Sequence, residues 1–279
     1  MKETAMPEHH FETPTPIDLH VELGRGAVRL DAVATTTTHI TVTGTQADQV
    51  RVEQRGQAVS IVGPRDGLGF RSGDCRLDVT VTLPLDSRLV SRLGSADLSV
   101  TGQLGESQLK SGSGDVSLDA LSGAASLETG SGDVLIRTAG DDLQVKSGSG
   151  DVAITRVTGR LAVSTGSGDI VIEGTQGPSV VKTGSGDLTI TSAGADASYT
   201  TGSGDLRIRE AIRGRFVTKS ASGDVAIAVR AGVPVWTDIN TVSGHIHSTL
   251  QGAGQPEPGQ DHVELRTITI SGDVDLSEA

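Results

Sequence analysis

"GRLAVSTGSGDIVI", residues 159–172, decides the architecture. Gly159 is followed at alternate places by Leu161 and Val163. Nine residues on, Gly168 is followed in the same way by Ile170 and Ile172. Apolar residues at every second position mark a short strand with one buried face. Glycine at this density excludes a helix. The stretch reads as two strands joined by a Thr-Gly-Ser-Gly-Asp corner.

The unit recurs along the chain. Its aspartate falls at Asp97, Asp115, Asp133, Asp151, Asp169, Asp187 and Asp205, always 18 residues apart. The spacing then loosens: Asp224 follows after 19, His245 stands 21 further on where the next Asp belongs, and Asp273 comes 28 later. Fixed self-similarity means stacked repeats. Hairpins would use two-residue turns, whereas these turns span five residues, and a three-sided hexapeptide helix would show a six-residue subperiod. The pattern predicts an all-β fold: a single elongated, flattened parallel β-solenoid with about 18 residues and two short strands per coil. Right-handedness is expected from the general preference of parallel crossovers.

Stacking every 18 residues defines the core. Val116, Val134, Val152, Ile170, Leu188, Leu206 and Val225 form one inward ladder, and Leu118, Ile136, Ile154, Ile172, Ile190, Ile208 and Ile227 the next. Leu109, Leu127, Val145, Val163, Val181 and Tyr199 line the opposite wall. Four aliphatic side chains per coil, at ~1.5–3 kcal/mol each, cannot order a coil alone, so stability is collective. The corner glycines Gly114, Gly132, Gly150, Gly168, Gly186, Gly204 and Gly223 are structural turn residues on this reading. Ser and Asp bond nearby turn amides. Thr129, Ser147, Thr165, Thr183 and Thr201, just before the corners, have inward parity.

Outside the regular repeats, residues 1–16 are expected to be a flexible polar tail and 17–92 irregular β coils or a cap. Residues 93–279 carry the solenoid repeats, ending in capping coils with a surface loop at 251–260. Ile268 and Ile270 fall out of phase with the earlier inward positions, which predicts a bulge or cap there.

The "LPLDSRL" lead-in (83–89), the "SGDV" and "TGSGDV" series and the terminal "TVSG" coil (241–244) resemble the bacterial β-strand-repeat family called "putative adhesins", a domain of unknown function. The resemblance covers roughly residues 17–279. It implies a β-solenoid, an adhesin-like interaction role with an unknown protein or cell-envelope ligand, and no catalytic residues.

Composition narrows the function classes. A net charge of −12 opposes duplex nucleic acid, which needs a basic face, and anionic membrane surfaces. No run approaches the ~18 apolar residues of a membrane span. The first sixteen residues lack the apolar core of a signal peptide, so a cytoplasmic location is expected. The lone cysteine, Cys75, permits no internal disulfide. With 37 glycines but one Trp, one Tyr and three Phe, the chain lacks aromatic platforms for a carbohydrate-cleaving β-helix. No Gly-x-Ser-x-Gly elbow supports nucleophilic catalysis.

No enzyme, cofactor or metal site is predicted. Were a metal bound, its ligands would come from the Asp115, Asp133, Asp151, Asp169, Asp187 and Asp205 ladder, or from His245 and His247 with His262 nearby. The ladder lacks the glycine order of calcium-binding nonapeptides, and its solvated-turn role is preferred. Trp236 is expected to pack in the cap. Lys110, Lys146 and Lys182, on alternate coils with Glu128, Ser164 and Thr200 between, read as solubility and register control. The expectation is a non-catalytic scaffold or binding protein. The alternative is a solenoid that self-assembles through its ends into a homo-oligomer or polymer.

Overall fold

The computed structural model describes residues 7–64, 76–250 and 260–279. Cys75 and residues 251–259 of the expected loop lie outside them. The described elements are β-strands, apart from one 3-10 turn at Ala47–Gln49. The chain divides into two units, Met1–Asp141 and Asp142–Ala279.

Unit 1 contains β1 (Glu8–Glu12), β2 (Asp18–Val33), β3 (Thr37–Gly44), β4 (Arg51–Arg55), β5 (Ala58–Val62) and β6 (Leu77–Pro84). It continues with β7 (Arg88–Leu104), β8 (Ser107–Ser111), β9 (Val116–Leu121), β10 (Ala125–Thr129) and β11 (Val134–Ala139). Its regular part is parallel and stacked at the predicted offset. Leu127 lies opposite Leu109, Val134 opposite Val116, and Ile136 opposite Leu118.

Strand β7 is a whole coil in one element, with one half on β8 and the other on β9. Its far side carries β2 in parallel. The two halves of β2 then carry β5 and β6. Beyond these the direction reverses: β4 on β5, β3 on β6 and β1 on β3 are all antiparallel. Residues 8–12, expected in a flexible tail, are therefore a strand. The outer edge of β3 presents unpaired amides and carbonyls, and β1 satisfies them.

Unit 2 opens with β12 (Leu143–Ser147), β13 (Val152–Val157), β14 (Leu161–Ser167), β15 (Ile170–Thr175), β16 (Ser179–Ser185), β17 (Leu188–Ala193) and β18 (Ala197–Ser203). There follow β19 (Leu206–Ala211), β20 (Gly214–Ser222), β21 (Val225–Val229), β22 (Val235–Ser243), β23 (Ile246–Ser248), β24 (Val263–Ser271) and β25 (Val274–Glu278). Even-numbered strands build one wall and odd-numbered strands the other. Val163, Val181 and Tyr199 stack on one wall, and Ile172, Ile190 and Ile208 on the other.

The coils of unit 2 do not end in chain order. Strand β24 lies between β20 and β22, parallel to both. In the same way β25 lies between β21 and β23. The last strands in the sequence therefore make an inner rung, and β22–β23 make the outermost rung among the described residues. Ile268 and Ile270 face outward on that inner rung, and no bulge is involved. Lys219 stands opposite Ile268, while Val263, Leu265, Thr267 and Thr269 point inward and are buried.

The core is one position richer than the repeat implies. Strands β13, β15, β17 and β19 each add a buried residue after a local irregularity, Val157, Thr175, Ala193 and Ala211, and Val229, in phase on β21, stacks on Ala211. Tyr199 and Phe216, both fully buried, are the largest core side chains. Ser179 and Ala197, small residues at the neighbouring inward position, leave room for the Tyr199 ring. The Tyr199 hydroxyl is 2.9 Å from Ser179 Oγ, which meets the requirement that a buried phenol find a partner.

Candidate functional site

The Asp corners are a hydrogen-bonded ladder. In unit 1 the Asp115 amide donates to Asp97 Oδ1 at 3.1 Å, and the Asp133 amide to Asp115 Oδ1 at 2.9 Å. In unit 2 the amides of Asp169, Asp187, Asp205 and Asp224 each donate to the preceding coil's Asp at 2.8–2.9 Å. The ladder then follows the stack rather than the chain. Asp273 donates to Asp224 Oδ1 at 2.8 Å, and the His245 amide donates to Asp273 Oδ1 at 2.7 Å. That amide, with the His245 ring beside it, holds the Asp273 carboxyl below the ordinary carboxylate range.

The glycines before these aspartates are geometric necessities. Gly168 has φ +137°, and a Cβ there would stand 2.5 Å from the Gly150 carbonyl oxygen. Such a conformation and such a contact both exclude a side chain. The inward hydroxyls close the core beneath: Thr165 Oγ1 donates to the Ser167 carbonyl and Thr183 Oγ1 to the Ser185 carbonyl. Those of Thr201, Ser220 and Thr269 find no partner.

The ladder strings its carboxylates along a corner and gathers none of them. His245 and His247 are exposed on the outer rung. His245 Nδ1 stands 3.5 Å from Asp273 Oδ1, and His247 lies opposite Asp275. His262 is turned toward the Gln260 carbonyl. Among the described residues, three metal-ligating side chains come together at Glu8, His10 and His39. Sequence reasoning missed this set because it placed His10 in a tail.

Two surface grooves accompany the strands. One, of about 500 Å³ in unit 1, is lined by Asp18, His20, Glu53, Arg55, Ser60 and Arg88. Three of its lining side chains already have partners: His20 with Glu22 at 3.2 Å, Arg55 with Glu53 at 3.0 Å, and Arg88 with Glu106 at 3.1 Å. The other, of about 670 Å³ in unit 2, is lined by Arg156, Glu173, Gln176, Thr191 and Arg213 among others. Lys110, read as a spacing charge, forms an ion pair with Glu128 at 2.8 Å.

The exposed apolar surface of unit 2 concentrates on its last two rungs. Trp236 is 71% exposed, Val242 79%, Ile270 57% and Ile246 49%. Trp236, expected to pack in a cap, instead projects from the outer face of β22, opposite Glu264 on β24. Among the described residues, no strand pairs with the other edge of β22. No helix among them is long and apolar enough to cross a membrane.

The coil geometry agrees with comparison to known families. The Toastrack DUF4097 family model matches residues 17–277. The chain belongs to that family. Solved structures similar to this Toastrack chain include a "putative adhesin" from Parabacteroides merdae, 11% identical, TM-score 0.47, covering 98% of this chain and 97% of that one. A "putative lipid binding protein" from Parabacteroides distasonis is 13% identical, TM-score 0.43, with coverages of 98% and 97%. A "putative adhesin" from Bacteroides fragilis is 11% identical, TM-score 0.33, covering 98% of each chain. No curated protein matches the chain.

Proposed function

We propose that this Toastrack chain is a non-catalytic interaction scaffold whose contact surface is the outer rung of unit 2, with a second copy of the chain as its partner. The observation that carries this reading is the edge of β22. The Val263 amide donates to the Pro234 carbonyl. Because amide and carbonyl directions alternate along a strand, Val235, Thr237, Ile239 and Thr241 direct theirs to the open edge.

The sequence of β22, VWTDINTVS, is close to self-complementary in an antiparallel sense. Two copies centred on Ile239 would place Ile239 against Ile239, Thr237 against Thr241, Asp238 against Asn240 and Trp236 against Val242. The Trp236–Val242 and Thr237–Thr241 pairs are of kinds that stabilise neighbouring strands, and no like charges are opposed. Sliding the pairing by two residues in one direction would oppose Asp238 to its own copy, which like-charge repulsion disfavours. Such a contact is two-fold and closes on itself. Head-to-tail polymerisation lacks this support, because unit 1 ends in antiparallel strands edged by Glu8, Glu12, Arg51 and Arg55.

Sedimentation equilibrium tests it. A dimer that stops at two copies is expected, and Trp236→Lys should return it to monomer. In a Cys75→Ser background, Ile239→Cys should form a symmetric intermolecular disulfide, since hydrogen-bonded antiparallel partners have Cα atoms ~5.5 Å apart. A chain monomeric at high concentration, or one that polymerises without limit, contradicts the proposal. Capture of another protein or envelope ligand that Trp236→Lys abolishes would keep the surface and replace the partner.

A further inference from the structure

The antiparallel cap of unit 1 brings together three residues far apart in the sequence. His10 on β1 lies directly opposite His39 on β3, and Glu8 precedes His10 by two residues. Residues two apart on a strand share a face, and directly opposed residues share it too. Glu8, His10 and His39 therefore project from one surface.

The side chains converge. Glu8 Oε2 stands 3.9 Å from His10 Nε2, and the two imidazoles stack with centroids 4.1 Å apart. One ligand atom from each of the three lies within 4.8 Å of the other two. Independently, His39 Nε2 is buried and has no hydrogen-bond partner. A buried imidazole nitrogen without a partner has lost its water and gained nothing in return. A metal ion would satisfy it. By contrast, His20, His245 and His262 each have a neighbouring oxygen partner.

From this geometry we infer that Glu8, His10 and His39 form a binding site for a divalent transition-metal ion of the zinc class. Two imidazoles and one carboxylate suit zinc, with the fourth tetrahedral position left for water. Calcium, which takes six to eight oxygens, is excluded by the donor set. Metal bonds of ~2.0–2.1 Å place tetrahedral ligands ~3.3 Å apart, so the three atoms must close up modestly. Stacked rings also hold their in-plane lone pairs side by side. Binding therefore swings the ring of His10, which is exposed on the outer strand, toward the buried Nε2 of His39.

Cobalt(II) titration of the untagged chain tests the site directly. One equivalent should give the intense visible bands of tetrahedral cobalt, and zinc should bleach them. His10→Ala, Glu8→Gln and His39→Ala should each weaken cobalt binding at least about tenfold. His9→Ala, on the other face of β1, and His247→Ala in unit 2 should leave it unchanged. His10→Ala and Glu8→Gln alter exposed positions on an outer strand, so they remain informative even if His39→Ala fails to fold. Absence of tetrahedral bands at one equivalent, or full-strength binding in both His10→Ala and Glu8→Gln, would overturn the inference.

Discussion

The two units solve the same problem at their ends by different means. A stack of parallel coils ends in an edge that invites further strands. Unit 1 turns the chain around: β4, β3 and β1 run against their neighbours, and the outermost strands read EHHFE and RVEQR. Charges at alternate places blunt those edges. Unit 2 keeps all its described strands parallel and instead places the 263–278 coil inside the 235–248 coil. Its outermost strand exposes Trp236 and Val242 and carries no Lys or Arg. One end is built to stop pairing. The other leaves an edge that a second molecule can complete.

The difference is broken most forcefully by introducing charge into the two last rungs of unit 2. Leu265, on the inner rung, is 1% exposed. Leu265→Asp should cost about 3–5 kcal/mol, because an unpaired carboxyl enters the core. Ile239→Asp, on the half-exposed outer rung, should cost under about 1 kcal/mol. Urea melts at dilutions where the chain is monomeric measure both. Equal losses would mean that the order of the rungs is wrong.

A smaller effect separates the cores. Unit 2 holds the single tyrosine, and burial pushes the Tyr199 hydroxyl up to about 12. The unfolded chain ionises near 10 and gives up its proton first. Stability is therefore unaffected below pH 10, falls as pH rises from 10 toward 12, and levels off beyond. The full shift corresponds to about 2–3 kcal/mol. Tyr199→Phe should remove that slope, and tyrosinate absorbance should show a midpoint well above 10 in the native protein.

The smallest expected effect concerns the ladder that both units share. Asp187→Asn retains an oxygen that can accept the Asp205 amide and should cost under about 0.5 kcal/mol. Asp187→Ala leaves that amide without its acceptor and should cost about 1–2 kcal/mol. Thermal melts read the pair. Equal losses from Asn and Ala would show that the charge, rather than the acceptor, matters at the corner.

Most of the regular coil was legible because one short pattern repeats 18 residues apart. Inward ladders such as Ile172–Ile190–Ile208 follow from parity alone. The added buried row, Val157 to Ala211, escaped because it lies past an irregularity where parity slips. Strand β1 escaped because EHHFE is short and polar, and its pairing depends on the edge of β3, which residues 1–16 by themselves do not reveal. The rung order did leave a sign. A coil whose corner carries His245 has no carboxylate to receive another amide, so it belongs at the end of the ladder. Asp273, which keeps its carboxylate, belongs inside. Chain order hid what that chemistry stated. The two hydrogen-bonding forms of the corner were not legible, since "TGSGDV" and "TGSGDI" adopt different ones. At the second glycine, Gly132 donates back to Thr129 Oγ1 within its own corner, whereas Gly168 donates onward to the Ser185 carbonyl.

The interleaved rungs of unit 2 also set a timetable for synthesis. A solenoid emerging from the ribosome can zip up coil by coil, each new strand finding its template already made. That progress halts at Val229. The next coil to appear, 235–248, has its native neighbour still untranslated and must wait for residues 263–278. Until then, the bare edges of β20 and β21 offer it a wrong seat, one rung too early. Folding of this part is thus completed only after residues 263–278 have emerged, and they act as a late wedge that decides where the preceding coil rests.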